Sequence, residues 1–241
     1  MNLSLSDQLT ETIANREGIE LSSEILEFSI DQALDDGLLK DIPIVGWISK
    51  GLSLSKSISD RIFYHKVVRF LIALKKESKH DSESFRQKIL EDKKYNRRVG
   101  EHLILILDKM EDFDKPELTA QVFSCFLSGD IDHDYFIELA SVIQRSSLAD
   151  LKVLSVGTNE RIAFRNRDLA AASGILSYGI QSFEESEPEL ATRFSVYGRD
   201  LRDIFLGRLR ESKKSRPTIL RRQPIDPFAE LTATKMANKS E

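Results

Sequence analysis

The chain holds one cysteine, Cys125, and one tryptophan, Trp47, in 241 residues. A lone cysteine excludes an internal disulfide and fits a reducing compartment. Long apolar runs are missing too. None exceeds five residues, as at Leu103–Leu107, whereas a bilayer-spanning helix needs about 20. The four histidines, His65, His80, His102 and His133, lack HxxxH or HExxH spacing, which argues against a zinc site. No GxSxG elbow presents a serine nucleophile. The first residues show no cationic start ahead of an apolar core, so no secretory leader is expected. The expectation is a soluble, cytoplasmic chain.

What is present is an ordinary globular balance, 41% hydrophobic and 31% charged, in a chain long enough to bury a core without a metal or disulfide staple. The net charge of −4 conceals strong segregation. Residues 1–36 and 101–160 are each −8, residues 61–100 are +7, and the last 35 residues are +5. Blocks of opposite sign either neutralise one another within the fold or leave a basic surface for an anionic partner, phospholipid headgroups or nucleic acid.

Hydrophobic spacing predicts helices for most of the chain. Residues 1–20 are polar with scattered leucines and read as loose. A helix carrying Ile25, Leu26, Ile30, Ala33 and Leu34 ends near Gly37, and Pro43 breaks helical continuity beyond it. Val67, Phe70, Leu71 and Leu74 form the apolar stripe of a long helix running to about Lys76. Asp81 or Ser82 caps a helix carrying Phe85, Ile89 and Leu90.

The run around Leu103–Leu107 suits a buried strand in isolation. Val99, Leu103, Ile106, Leu107, Met110 and Phe113 nevertheless keep helical steps, and a central buried helix is expected. Asp114–Glu117 spells a capping box with Pro116 in the first turn, Gly129 is the stop, and Asp132 caps the next helix. Ser147–Asp150 opens a shorter one.

Beyond Gly157 the pattern changes. Asn166 caps a short helix ending at Gly174; Leu176, Tyr178 and Ile180 alternate, as do Phe194 and Val196, around an acidic tip; Gly198 leads into a last helix. The fold class is therefore mainly α, a multi-helix bundle followed by a small winged-helix-like α+β unit with one β-hairpin. The expected organisation is a loose 1–20, a bundle over 21–156, the winged-helix-like unit over 157–210 and a basic disordered tail over 211–241.

The run LLKDIPIVG, followed by DRIFYHKVVRFL and the stretch from Arg97 to Ile143, resembles a bacterial family of small helical proteins without assigned activity. The middle helices, with a Gly-Asp turn between two of them, resemble TerB-like stress domains, though the acidic metal ligands are lacking. SGILSYGIQ and FSVYGRDLRDIF resemble the wing and final helix of winged-helix modules. These resemblances imply a stress or phage-defence setting by association and supply no reaction chemistry.

Motifs that could carry chemistry fall short. Gly46–Ser53 approaches a phosphate-binding loop, but Leu52 stands where the phosphate-reaching lysine belongs. Asp130, Asp132, Asp134 and Glu138 invite comparison with a calcium loop, yet Tyr135 and Ser141 occupy the positions that need Gly and Glu. Capping explains those acids better. Cys125 sits in an apolar stretch and reads as core. Neither an enzyme nor a cofactor is expected.

The candidate contact segment is Ile44, Val45, Trp47, Ile48 and Leu52, apolar residues beside two glycines and the lysines Lys40 and Lys50. It reads either as a buried corner of the bundle or as an interfacial element for a protein partner or an anionic membrane surface, peripheral at the inner face. Self-association is a further outlet for the same surface. The candidate anion contacts are Arg208, Arg210, Lys213, Lys214, Arg216, Arg221 and Arg222. Nucleic acid stands second as their partner, because the acidic tip between the strands would repel a phosphate backbone.

Overall fold

The computed structural model describes residues 4–14, 58–77, 91–156, 164–181 and 189–209. Eight helices and one antiparallel hairpin occupy them: α1 (Leu5–Ala14), α2 (Ile58–Glu77), α3 (Lys93–Asp108), α4 (Lys115–Leu127), α5 (His133–Arg145), α6 (Leu148–Val156), α7 (Arg167–Ser173), β1 (Leu176–Gln181), β2 (Glu189–Phe194) and α8 (Val196–Phe205). This is a mainly helical bundle followed by a small α+β unit. The helices predicted over 22–36 and 82–90 lie outside the described residues.

The periodic stripes become the core. Val67, Phe70, Leu71 and Leu74 of α2 are buried against α4, whose Val122, Phe123 and Phe126 are buried in turn. Phe123 sits at the centre, its ring 5.5 Å from Phe70, 5.4 Å from Phe126 and 5.1 Å from Phe136 of α5. The apolar run at 103–107 is helical, as expected, but the helix stops at Asp108, so Met110 and Phe113, counted in the longer pattern, lie beyond it. Leu103, Ile106 and Leu107 face inward, while Leu105 is exposed.

Two starts and one end differ from expectation. The loose N-terminus is a correction: Leu5–Ala14 is a helix packed on α3, with Leu9 fully buried. Ser4 and Asp7 cap it reciprocally. The Asp7 amide donates to Ser4 Oγ and the Ser4 amide to Asp7 Oδ2, each at 3.2 Å. Its inner face is partly polar. Thr10 is buried and returns its hydroxyl to the Ser6 carbonyl at 3.0 Å, so the face needs no run of leucines.

The capping box at Asp114 is also corrected. Its side chain makes no cap hydrogen bond, because Arg69 takes one carboxylate oxygen at 3.0 Å and Lys152 the other at 3.2 Å. Val196, expected at a strand end, opens α8 instead. Ser195 caps that helix by accepting from the Gly198 amide at 2.9 Å, so the hairpin stops two residues earlier, at Phe194.

Other caps form as the sequence predicts. Asp132 accepts from the Tyr135 amide at 2.9 Å, and Asn166 from the Leu169 amide at 3.0 Å. Gly174 ends α7 at φ 99°, a left-handed conformation that favours glycine. The hairpin pairs Leu176 with Phe194 through to Gln181 with Glu189. Its inner end packs through the ring of Phe194, 5.9 Å from Phe164.

Two buried lysines tie helix ends across the bundle. Lys66 of α2 donates to the Asp108 carbonyl at 2.8 Å, and Lys115 of α4 to the Gln144 carbonyl at 3.0 Å. Each ammonium meets the C-terminal end of a neighbouring helix, where unpaired carbonyls and the helix dipole favour a cation. Burial lowers the pKa of Lys66, with the Asp108 charge opposing that effect.

Candidate functional site

Ile44, Val45, Trp47, Ile48 and Leu52 lie outside the described residues, as do Arg210, Lys213, Lys214, Arg216, Arg221 and Arg222. Arg208 is described and exposed. Shortly after the apolar segment in sequence, α2 begins with Ile58, 77% exposed, and Ile62, 38% exposed. Four residues apart, they share a helix face. The start of α2 therefore carries an apolar edge, a few positions along the chain from the segment that holds Trp47.

The second grouping lies in the C-terminal α+β unit. Its three described aspartates are engaged. Asp168 accepts from the Tyr178 hydroxyl at 2.5 Å, Asp200 from the Tyr135 hydroxyl at 2.6 Å, and buried Asp203 lies 3.7 Å from Arg202. Arg165, Arg167, Arg193 and Arg208 are exposed and make no ion pair among the described residues. Leu169 and Tyr178, about half exposed, lie beside Asp168 within this unit. The Arg193 side chain passes close to Gly179 of the facing strand.

Composition alone conceals this arrangement, since residues 161–206 sum to −1. Arg165, Arg167 and Arg193 become apparent only when exposure and pairing among the described residues are known.

A third grouping joins two histidines that lie 31 residues apart in sequence. Nδ1 of His102, on α3, is 3.4 Å from Nε2 of His133, at the start of α5. The rings are 5.1 Å apart and inclined by 17°. Asp134 Oδ1 lies 3.4 Å from the other ring nitrogen of His133. Burial, the largest influence, lowers the His133 pKa; Asp134 opposes it, and the nearby charges of His102 and Arg98 lower it further.

Tyr135 and Tyr197 face each other at the seam between α5 and α8, 5.9 Å apart. Burial, with the bond to Asp200, pushes the Tyr135 phenol well above its ordinary value. Burial and a bond to Glu138 raise that of Tyr197. These phenols hold protons firmly and serve as hydrogen-bond donors.

No group of three or more histidine, cysteine, aspartate or glutamate side chains suited to a metal occurs among the described residues. Asp132 is occupied as a cap, and Asp130 accepts from the Ser128 hydroxyl at 2.6 Å. Cys125 is half-buried and packs against the core. No described helix is long and apolar enough to cross a membrane. Comparison with family models, curated proteins and solved structures finds no match.

Proposed function

We propose that this protein acts by contact and not by chemistry: a non-enzymatic helical scaffold that docks a protein partner or an anionic membrane surface through Ile44, Val45, Trp47, Ile48 and Leu52. The supporting observation is the exposed pair Ile58 and Ile62, which adds apolar surface on the first turns of α2 to that of the segment preceding it in sequence. Exposed apolar edges of this kind suit a partner surface. The likeness to a bacterial family found in stress and phage-defence settings adds its context to the proposal.

Liposome co-sedimentation and crosslinking pull-down on wild type, Trp47→Ala and Ile58→Asp test it. The substitutions should abolish capture in one of the two assays. Capture unchanged by both substitutions in both assays overturns the proposal.

A second reading rests on the exposed arginines that make no ion pair among the described residues. In it the winged-helix-like unit binds nucleic acid, with Arg165, Arg167, Arg193 and the basic tail contacting phosphates. Removing any one of these phosphate contacts should reduce the dependence of affinity on salt. Deleting residues 207–241, or replacing Arg165 and Arg167 with Ala, should weaken DNA binding and flatten its salt slope. Absence of DNA binding by wild type at low salt disposes of this reading.

A further inference from the structure

The imidazoles of His102 and His133 are the closest pair of titratable rings described in the molecule, and they sit on the seam between α3 and α5. We infer that they form a proton-sensitive catch, closed while they share one bridging proton and opened when both rings are charged.

The geometry sets the tautomers. The Asp134 carboxylate, 3.4 Å from Nδ1 of His133, places a proton on that nitrogen. Nε2 of His133 then carries a lone pair, and Nδ1–H of His102 donates to it across 3.4 Å. A proton added to the remaining nitrogen of His102 leaves this bridge intact and makes it charge-assisted. A proton added to Nε2 of His133 cannot be accommodated: two N–H groups then face each other on two cations.

The surroundings give little relief. From α3 and its cap, Asp92, Tyr95, Arg98 and His102 act on this corner; from α5 and its cap, Asp132 and Asp134 do. Asp132 is committed to capping α5, and Arg98 adds positive charge. Phe126 of α4 closes the inner side with its ring 5.7 Å from that of His133. Asp130, in the turn before α5, is held by Ser128. His133 is only 11% exposed at its side chain, so water cannot fully hydrate the second charge.

Opening the seam would release α3 from α5. Helix α1 packs on α3 and would move with it. Because burial lowers the folded-state pKa of His133 below the ordinary 6.5, the unfolded chain takes up this proton more readily. The stabilisation is present above that pH and declines as pH falls below it.

The test uses the full chain. Imidazole NMR titration of wild type, with assignments from single substitutions, should place His133 below the ordinary histidine range. His102→Phe keeps a ring in the seam and removes its nitrogens; it should move the His133 titration upward. Amide exchange, corrected for intrinsic rates, should show α3 and α1 losing protection as pH falls below about 6.5, the ordinary histidine value, ahead of α2 and α4. This lead should shrink in His102→Phe. A His133 titration indifferent to His102→Phe, or equal acid loss of protection in every helix of wild type, overturns the catch. The wild-type measurements decide the matter even if the variant fails to fold.

Discussion

Gly100 of α3 lies directly against the Ser6 carbonyl of α1: a Cβ placed on residue 100 would stand 2.5 Å from that oxygen. The two helices meet backbone to backbone at this point, and any side chain at 100 must push α1 away. Gly100→Ala is therefore expected to destabilise the fold despite the better helix propensity of alanine. Overpacking of this kind costs roughly 1–3 kcal/mol. Urea unfolding would show it, and a neutral or stabilising result would contradict the close approach.

The cap of α1 gives a pH prediction. Hydrogen bonds from Ser4, opposed by burial and aided by Arg97, lower the pKa of Asp7 below its ordinary 3.8. A depressed carboxylate stabilises the folded state above its unfolded pKa and loses that contribution as pH falls through the folded value. Wild type should therefore lose protection of α1 amides in acid below about pH 4, a loss that Asp7→Ala should blunt. Ser4→Ala should cost about 1 kcal/mol at neutral pH, the usual value of an N-cap.

Phe123, fully buried and in ring contact with three other phenylalanines, is the core position most exposed to truncation damage. Phe123→Ala is expected to cost about 3–5 kcal/mol. Phe123→Leu should cost less, because more of the volume stays filled. Equal losses in the two variants would show that the ring contacts themselves, and not the space they fill, dominate.

Tyr135→Phe removes the hydroxyl that donates to buried Asp200 at 2.6 Å, while leaving the ring against Tyr197. A hydrogen bond to a charged group contributes about 1.5–3 kcal/mol, so the loss should be measurable by denaturant titration. An unchanged midpoint would mean that the other contacts of Asp200 suffice.

Asp132 separates capping from cation binding. Asp132→Asn, which can still cap α5, should leave stability nearly unchanged, whereas Asp132→Ala should cost about 1 kcal/mol. Calorimetric titration of wild type with calcium should give no micromolar binding. Such binding, abolished in Asp132→Asn, would replace the capping account.

Much of the architecture is readable from the sequence. The stripes of α2, α4 and α5 and the caps at Asp132 and Asn166 appear where spacing and residue type put them. Helix α1 is harder to read because the inward face carries Ser6 and Thr10 among its apolar residues, and buried hydroxyls satisfied within the helix look the same on paper as solvated ones. Asp114 has the right neighbours for a cap; only the arrival of Arg69 and Lys152 from other helices takes its carboxylate away. Of the candidate site residues, Arg208 alone falls within the described part of the chain. Ile58, Ile62 and the exposed arginines without an ion pair among the described residues emerge from exposure and pairing, which no spacing rule reports.

The sequence by itself determined which segments coil, where most of them stop and which faces turn inward, because those choices depend on residues within about four positions of one another. Tertiary structure decided what the charged and titratable side chains touch. Lys66 reaches across 42 positions to the Asp108 carbonyl, Lys115 across 29 to Gln144, and His102 across 31 to His133. Such partners are chosen by how helices cross, and the energy of each contact depends on how little water remains beside it.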